Sequence, residues 1–356
     1  MQMRFVGDTG LRVSSFALGT MGFGGGARSP VGNIDLDLAT RMVSAALDAG
    51  VNLFDTANSY AGGRSEELLG KALGNRRDDV LISTKVHARA GNGPNDVGQS
   101  RWNIVRSCDA SLRRLGTDHI DIFHVHGFDG CTSLDESLGA LDRLVQSGKV
   151  RYIACSNYAA WQIARAIGIS ERRGIDRYVA VQAYYSLVAR ELEWEIIPAC
   201  RELGLGLFVW SPLAGGLLSG KFDRDHIPEG TRRAMVGDLG VGHVDTELAW
   251  RIIDTCREIA ARRGVSVAQV ALNWVRANDA VSSVIIGART MEQLADNLAA
   301  ASWELSADER AELDAASARP LPYPHWFQRQ FTAERYSREG PPDPSAAHVY
   351  VPREDA

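Results

Sequence analysis

The sequence predicts an α/β protein built as a closed (β/α)8 TIM barrel, and three observations support this fold. Short apolar segments alternate with amphipathic helical patterns at a period of about 30 residues. Eight such segments follow one another along the chain, and eight parallel strands close this type of barrel. The segments between them are long enough to hold a helix, and connections of that length join parallel strands. An open, doubly wound sheet is the alternative arrangement.

The predicted elements begin with an N-terminal β-hairpin that pairs Met3–Val6 with Leu11–Ser14 across a Gly-Asp-Thr-Gly turn. The barrel strands are predicted at Phe16–Gly19, Asn52–Asp55, Val80–Thr84, Ile120–Val125, Tyr152–Ser156, Val179–Ala183, Gly206–Trp210 and Val284–Gly287. The helices are predicted at Asp35–Ala49, Glu66–Leu73, Trp102–Leu115, Leu134–Ser147, Trp161–Ile169, Trp194–Leu203, Glu247–Arg263 and Ser306–Ala318. Several helices end at a glycine, which readily adopts the left-handed conformation of a helix C-cap.

Length, charge and cysteine content narrow the class of protein. The chain has 356 residues, 45% of them hydrophobic, which is enough to build the core of one large domain. The net charge is only −5 and the Lys and Arg residues are scattered, so we expect neither nucleic acid nor a membrane among its partners. The sequence lacks a signal-peptide pattern and a run of roughly 20 apolar residues. These two missing patterns, together with five dispersed cysteines and no CxxC pair, favour a cytoplasmic protein with reduced thiols.

Three segments interrupt the alternation: Ala88–Gln99, Ser219–Thr246 and the tail that starts at Arg319. The first two follow strands, where long loops form the walls and lids of active sites. We therefore expect a single barrel domain at residues 1–318 and a C-terminal tail at 319–356. The tail is predicted either to cap part of the barrel mouth with its aromatic cluster or to be disordered. Its last part, Pro341–Ala356, is predicted to be poorly ordered or to depend on a partner.

Four polar side chains lie at or just beyond the ends of three successive predicted strands: Asp55, Tyr60, Lys85 and His126. The carboxyl ends of barrel strands share one face, so we expect these groups to meet there. A free tyrosine has a pKa near 10, but an ammonium at roughly 4 Å stabilises its phenolate by about 4 kcal/mol, or up to about three pKa units before desolvation. Tyr60 is thus predicted to protonate a carbonyl oxygen that His126 orients, while Asp55 holds the charged Lys85.

Two other patterns suggest different chemistry. His124 and His126 lie two apart on one strand, as metal ligands do, but a metal site needs three or four ligands. We find no suitable further ligands at the other strand ends and predict no metal. The run Gly22–Ala27 matches the G-x-G-x-x-G/A string of dinucleotide folds, yet the next helix starts only near Asp35. This run is therefore predicted to be a flexible loop over the mouth.

The four residues and two further segments resemble the aldo-keto reductases, in their bacterial and potassium-channel β-subunit-like branch. These segments are Gly-Lys-Val-Arg-Tyr-Ile at 148–153 and Trp-Ser-Pro-Leu-Ala-Gly-Gly-Leu-Leu-Ser-Gly-Lys-Phe at 210–222. The resemblance covers roughly residues 3–318. It implies a (β/α)8 barrel, NADPH bound without a Rossmann motif, and reversible reduction of an aldehyde or ketone to an alcohol. It assigns proton donation to Tyr60, an ion pair to Lys85 and Asp55, and substrate orientation to His126.

The resemblance also implies which residues hold the nucleotide. Ser156, Asn157 and Gln182 match the contacts to the carboxamide, and Trp210 matches the aromatic side chain on which the nicotinamide stacks. Arg289 is the predicted partner of the 2′-phosphate because a guanidinium binds phosphate in a bidentate manner. Other branches carry Lys at the position of Gly287, so NADH remains an alternative. The full set is Gly19, Thr20, Met21, Asp55, Ser156, Asn157, Gln182, Trp210, Ser211, Leu213, Gly215, Lys221, Gly287, Arg289, Gln293 and Asn297.

Substrate contacts are predicted at Phe23, His124, Phe128 and Trp326, where His124 replaces the Gln that is usual in the family. The expected partner is a small carbonyl compound such as an aldehyde, a sugar-like carbonyl or a cyclic natural product, and the oligomeric state is left open. A cofactor-binding regulatory subunit of channel-β type, with weak reductase activity, is the alternative function. A Schiff base at Lys85, as in class I aldolases, is disfavoured because Asp55 keeps the amine charged.

Overall fold

The structure, a computed structural model, describes residues 1–26, 32–224 and 244–331. In these ranges eight parallel strands form a closed barrel, which confirms the predicted fold. In chain order they are β3 (Phe16–Gly19), β4 (Leu53–Asp55), β5 (Leu81–Val86), β6 (Ile120–Val125), β7 (Val150–Ser156), β8 (Tyr178–Tyr184), β9 (Gly206–Trp210) and β10 (Val281–Ile286). Neighbours in sequence are neighbours in the barrel, and β10 closes it by pairing with both β9 and β3.

Helices follow the strands and cover the barrel from outside. Those of the barrel unit are α1 (Leu36–Asp48), α2 (Arg64–Leu73), α3 (Arg101–Leu115), α4 (Leu134–Gln146), α5 (Ala160–Arg173), α6 (Ile196–Glu202), α7 (Thr246–Arg263), α8 (Val267–Arg276), α9 (Met291–Ala299) and α10 (Ala307–Ala316). Most of them begin at a Ser, Thr or Asp whose side chain accepts a hydrogen bond from the first turn, as at Asp35, Ser100 and Ser133. These caps set where each helix starts after its strand.

Alternation along the strands separates two apolar cores. Outward-facing residues such as Phe16 and Ile153 pack with the helices in the large core. Inward-facing residues fill the barrel itself and form a second, smaller core. The members of this inner core are Val6, Val13, Ala17, Leu53, Ile122, Ala154, Ala180, Phe208 and Ile285.

The N-terminal hairpin, β1 (Met3–Phe5) with β2 (Arg12–Ser14), closes the amino-terminal end of the barrel. Val6 and Val13 of the hairpin belong to the inner core. Gly7 has a φ of +52° and lies so close to the start of β9 that a Cβ would be 2.2 Å from the carbonyl oxygen of Gly204. Since this end is closed, a cavity has to open at the carboxyl ends of the strands.

Several boundaries and two helices differ from the prediction. β10 starts at Val281, three residues before the predicted strand. The helix predicted from Trp194 begins only at Ile196, after a 310 turn at Glu191–Glu193. Helix α8 was not predicted, and neither was α11 (His325–Phe331). The predicted flexible loop at Gly22–Ala27, the Ser219–Thr246 segment and the tail extend outside the described residues.

The chain separates into two compact units, Met1–Ser317 and a second unit that begins at Ala318. Of the second unit, residues 318–331 are described. Its helix α11 carries rings that pack against one another: Trp326 and Phe327 have centroids 5.8 Å apart, and Phe327 and Phe331 4.7 Å apart. In the described ranges, no helix combines the length and the hydropathy that crossing a membrane requires.

Candidate active site

The barrel brings Lys85 and Asp55 together as a buried ion pair. Asp55 is the last residue of β4, and Lys85 lies near the end of the adjacent β5. The Lys85 Nζ donates to Asp55 Oδ2 and to the Thr56 carbonyl oxygen, both at 2.6 Å, and it also hydrogen-bonds to Tyr60. The side chain of Lys85 is 0% exposed and that of Asp55 5%. Three acceptors thus match the three N–H groups of a cation that has lost its hydration shell.

Asp55 is itself held by further donors. Its Oδ1 accepts hydrogen bonds from Ser83 Oγ and Gln182 Nε2, each at 2.9 Å. Burial alone would lower the pKa of Lys85, but the negative charge of Asp55 and the bond to Tyr60 outweigh it, and the pKa is raised above its ordinary value. Lys85 is therefore an ammonium at neutral pH. Sequence reasoning missed Ser83 and the Thr56 carbonyl, and it assigned Gln182 to the cofactor alone.

Tyr60 is placed by a tight turn that follows β4. It opens a short 310 segment, Tyr60–Gly63, in which Ala61 has a φ of +49° and Gly62 a φ of +66°. This left-handed turn carries the chain directly into α2. The Lys85 Nζ lies 5.2 Å from the centroid of the Tyr60 ring. The phenol thus reaches the ion pair from the loop side.

A buried cluster of hydroxyl groups fixes the strand end below this turn. Ser65 Oγ donates to the Thr20 carbonyl oxygen at 2.7 Å, and it lies 2.8 Å from Thr20 Oγ1 and 3.0 Å from Thr56 Oγ1. Thr20 Oγ1 in turn donates to the Asp55 carbonyl oxygen at 3.1 Å. Thr20, which the resemblance assigns to the cofactor, is fully buried here and binds the main chain of Asp55.

His126 lies just beyond β6, beside Tyr60. The ring centroids of the two residues are 5.8 Å apart in an edge-to-face arrangement. The His126 main-chain N–H donates to the Val86 carbonyl oxygen at 2.7 Å, and the His126 carbonyl oxygen accepts from Asn157 Nδ2 at 2.9 Å. Burial, and then the charge of Lys85, lowers the pKa of His126 to about 3. The imidazole is therefore neutral near pH 7 and can donate a hydrogen bond without carrying charge.

A cavity with a volume of about 610 Å³ opens at the carboxyl ends of the strands. Asp55, Tyr60 and His126 line it at one end. The residues of the predicted cofactor set that line it are Gly19, Met21, Asp55, Asn157, Gln182, Trp210, Ser211, Leu213, Gly215, Lys221, Gly287, Arg289, Gln293 and Asn297. Two members of that set, Thr20 and Ser156, lie behind its wall.

The end of the cavity near the ion pair suits a flat ring that carries an amide. Trp210 lines the cavity, and its ring stacks on the Tyr184 ring with the two centroids 4.9 Å apart. Trp210 Nε1 donates to Asn157 Oδ1 at 3.1 Å. Ser156 Oγ is buried and has no hydrogen-bond partner among the described residues. A buried hydroxyl without a partner at this point favours a ligand that brings a polar group to it.

The far end of the cavity suits phosphate. Lys221 and Arg289 both line it, and the pKa of Lys221 is lowered by burial and by the positive charge of Arg289. Two cations that repel each other favour an anion between them. The first turn of α9 lies beside them, where helix N–H groups and the helix dipole also favour an anion. The residues present therefore fit a phosphorylated nicotinamide nucleotide.

Three of the predicted substrate residues, Phe23, His124 and Phe128, do not line this cavity. Phe23 is only 1% exposed and packs in the large core, so it offers no surface for the predicted substrate contact. His124 is fully buried inside the barrel, 6.0 Å from the Phe208 ring. Phe128, in the loop after β6, packs against Tyr158 and against Trp161 of α5. Trp326 belongs to the second unit.

No metal site accompanies these groups in residues 1–26, 32–224 and 244–331, where no three His, Cys, Asp or Glu side chains cluster suitably. His124 and His126 are both directed inward, but the pKa of His124, like that of His126, is lowered to about 3 by burial and then by Lys85. The positive charge of Lys85 also disfavours a metal ion, which is a second cation, beside these histidines.

Comparison with known proteins agrees with the geometry of the site. The model of the Aldo/keto reductase family matches residues 15–318. The chain is 42% identical over 323 residues to the uncharacterized oxidoreductase YrpG of Bacillus subtilis (strain 168), covering 87% of this chain and 93% of that protein. It is 38% identical to a probable voltage-gated potassium channel subunit beta of Oryza sativa subsp. japonica (84% and 91% covered). It is 34% identical to versiconal hemiacetal acetate reductase of Aspergillus parasiticus (87% and 95% covered).

Proposed function

The chain belongs to the aldo/keto reductase family and is an NAD(P)H-dependent oxidoreductase, and we propose that it reduces an aldehyde or ketone with NADPH, using Tyr60 as the proton donor. The observation that carries the proposal is the buried contact of Lys85 with both Asp55 and Tyr60. When bound, the nucleotide supplies a hydride to the carbonyl carbon. All other steps fall to side chains of the chain itself.

Proton donation by Tyr60 is supported by the charge beside it. The contact that raises the pKa of Lys85 acts in both directions, so the ammonium stabilises the phenolate that Tyr60 leaves after donating its proton. Because the pair is buried, its electrostatic interaction is less screened than in water. In the oxidative direction the same phenolate accepts the proton of the alcohol.

Substrate orientation is assigned to His126. Its neutral imidazole lies beside Tyr60, so one ring N–H can donate to the carbonyl oxygen that Tyr60 protonates. With His126 neutral, the positive charge that stabilises the phenolate comes from Lys85.

A preference for NADPH over NADH is supported by Arg289 and Lys221. Both cations line the end of the cavity away from the ion pair, and a 2′-phosphate adds charge that two cations accommodate well. The Trp210 face and the Ser156 hydroxyl suit the nicotinamide ring and its carboxamide at the other end.

The test is a turnover assay on purified protein with a panel of activated aromatic aldehydes, sugar-like aldehydes and cyclic ketones. We expect NADPH consumption, followed at 340 nm, with at least one class, and slower consumption with NADH. Quenching of tryptophan fluorescence by NADP⁺ measures binding separately. Tight nucleotide binding without consumption in any class would contradict the proposed reaction.

A regulatory role is the second candidate, because the relatives include probable channel β-subunits that cover most of the chain. In that case the nucleotide would bind while turnover stayed slow with every substrate. The two candidates differ in one measurement: a kcat within the range of ordinary enzymes, about 1 per second or more, favours the reductase.

A further inference from the structure

Gln182 contacts the catalytic ion pair from the cofactor side of the cavity. It lies in β8, is 3% exposed and lines the cavity near its catalytic end. Its Nε2 donates to Asp55 Oδ1 at 2.9 Å. A carboxylate only accepts hydrogen bonds, so the amide orientation is fixed by chemistry, and the acceptor atom Oε1 must point elsewhere. Within the described residues, no hydrogen bond uses that Oε1.

The neighbouring amide, that of Asn157, is already occupied. Its Nδ2 donates to the His126 carbonyl oxygen, and its Oδ1 accepts from Trp210 Nε1. Asn157 also has a left-handed φ of +57°, so its main chain is constrained as well. Beside it, two polar atoms have no hydrogen-bond partner among the described residues, namely Ser156 Oγ and Gln182 Oε1. Ser156 and Gln182 are direct register partners on β7 and β8.

We propose that Gln182, to which the family resemblance assigns only a carboxamide contact, is a positioning residue that joins this contact to the Asp55–Lys85 ion pair. Its Oε1 accepts the carboxamide N–H, while its Nε2 shares the negative charge of Asp55. This inference rests on the proposed function for the identity of the nucleotide. It goes beyond that function because Gln182 then sets the acidity of the proton donor and does not only bind the cofactor.

The sign of the effect follows from the charges that face Tyr60. Without the bond from Gln182, more of the negative charge of Asp55 acts on the phenol, which disfavours the phenolate, so Tyr60 ionises at higher pH. The other titratable groups that face this point are Lys85, His126, His124 and His87. The pKa values of His124 and His126 are lowered to about 3 and that of His87 is lowered too, so none of these histidines changes charge above pH 7.

The experiment combines two readouts on full-length protein. The first is tyrosinate absorbance at 295 nm in nucleotide-free protein, with Tyr60→Phe subtracted to isolate Tyr60. The second is the affinity for NADP⁺ and for 2′-phospho-ADP-ribose, which lacks the nicotinamide. Gln182→Met removes both the donor and the acceptor. Ser156→Ala is the matched control, because it removes the hydroxyl to which the resemblance assigns a carboxamide contact and leaves the hydrogen bonds of Asp55 in place.

We expect Gln182→Met to raise the ionisation midpoint of Tyr60 by about half a pH unit or more and to weaken NADP⁺ binding about tenfold, with 2′-phospho-ADP-ribose unaffected. Ser156→Ala should weaken NADP⁺ and leave the midpoint unchanged. If Gln182→Met alters only the affinity, or only the midpoint, the joint role is wrong. A shift of the midpoint in Ser156→Ala would overturn it too.

Gln182→Ala covers the case in which the methionine variant does not fold. The shortened side chain can neither donate to Asp55 nor accept from the carboxamide and adds no charge, so the Tyr60 midpoint should rise while 2′-phospho-ADP-ribose binding is retained. An unchanged midpoint in this variant counts against the proposal. The titration and the binding measurements need no turnover. If the wild-type protein reduced no carbonyl compound, the proposed function would be refuted, but the two readouts would still test the role of Gln182.

Discussion

Lys85 is a cation that the barrel buries completely, and it remains charged because each of its N–H groups has an acceptor. Two acceptors are fixed by the main fold, namely the Asp55 carboxylate and the Thr56 carbonyl oxygen, and the third is Tyr60. Removing one partner of a buried pair leaves an uncompensated charge, which costs about 3–5 kcal/mol. At the scale of single residues, structure and proposed chemistry therefore depend on the same contacts.

Replacing Tyr60 by Phe tests proton donation directly. We expect Tyr60→Phe to lower kcat for carbonyl reduction by about 100-fold to 10,000-fold, because a positioned general acid contributes about that much. The Kd for NADP⁺, measured by fluorescence quenching, should stay within about twofold because the hydroxyl acts only in the transition state. Tyr152→Phe, which changes a tyrosine packed against the inner core, is the control and should keep its kcat. A Tyr60→Phe enzyme with undiminished turnover would remove Tyr60 from the mechanism.

Arg289 is expected to distinguish the two nicotinamide nucleotides. Arg289→Ala should weaken NADPH binding by about 10-fold to 100-fold, the worth of charged hydrogen bonds to a phosphate, and change NADH binding by less than about twofold. Isothermal titration with each nucleotide measures this. Arg201→Ala, which removes an exposed guanidinium paired with Asp279, serves as the control. Equal losses for both nucleotides would show that Arg289 does not bind the 2′-phosphate.

At this scale the sequence allowed the positions of the four groups and the contacts of Lys85 with Asp55 and Tyr60 to be predicted, but not the further hydrogen-bond partners of Asp55 and Lys85. Asp55, Lys85 and His126 stand at strand ends, and the parallel barrel brings strand ends together whatever the details of packing. Ser83 and the Thr56 carbonyl were missed because their contacts depend on strand register and on side-chain rotamers. Phe23 was misplaced since an aromatic ring near a mouth can equally turn inward, as it does here.

At the scale of secondary structure, helix α2, which follows the Tyr60 turn, packs closely against helix α3. Gly70 of α2 faces the end of α3, and a Cβ at Gly70 would lie 2.2 Å from the Leu115 carbonyl oxygen. The same pair of helices is joined by Arg114 Nε, which donates to the buried Glu66 at 2.6 Å. The position of α2, which follows directly from Tyr60, therefore depends on a residue without a side chain.

A methyl group at this point should separate the two helices. We expect Gly70→Ala to lower the free energy of unfolding by about 1–3 kcal/mol, since overpacking forces the backbone to shift. Gly168→Ala is the control: Gly168 lies within α5 with no heavy atom within 4 Å of the added Cβ, so it should raise stability by about 0.5–1 kcal/mol. Urea denaturation followed by circular dichroism gives both values. Similar changes in the two variants would contradict the close packing.

Helix α8 shows why one element escaped prediction. Nearly all of its residues are buried, but Gln269, Asn273 and Arg276 recur at the i, i+4 and i+7 spacing of one helix face. The sequence therefore does carry a helical period here, and the Ser266 cap marks where it begins. The helix was missed because one helix was expected in each connection between strands, and α7 already filled the connection before β10.

At the scale of the whole barrel, the two ends have different tasks. The hairpin and the inner core fill the amino-terminal end with apolar side chains, whereas the carboxyl-terminal end holds the ion pair and the cavity. His124 lies where these regions meet: it is fully buried beside Lys85, with neither ring nitrogen making a hydrogen bond of normal geometry to any described residue. A buried imidazole without a partner is destabilising, and its protonation more so.

This position makes the stability of the barrel depend on pH. The pKa of His124 is about 3 in the folded protein and about 6.5 when unfolded, so the unfolded chain takes up a proton first as the pH falls. The resulting stability is fully present above about pH 6.5 and is lost progressively as the pH falls towards 3, by about 1.4 kcal/mol per pH unit. The lowered pKa of His126 adds a loss of stability at low pH in the same direction.

His124→Gln should make the barrel less sensitive to acid. Gln carries no titrating group, so between pH 6 and pH 4 the free energy of unfolding of the variant should fall less steeply than that of the wild type, by up to about 1.4 kcal/mol per pH unit. Urea denaturation at half-unit intervals of pH measures both slopes, and the comparison at each pH removes the contribution of the carboxylates that the two proteins share. Parallel curves would mean that His124 takes up its proton in the folded barrel. In that case a second cation would lie beside Lys85, and burial would not hold the pKa of His124 below its ordinary value.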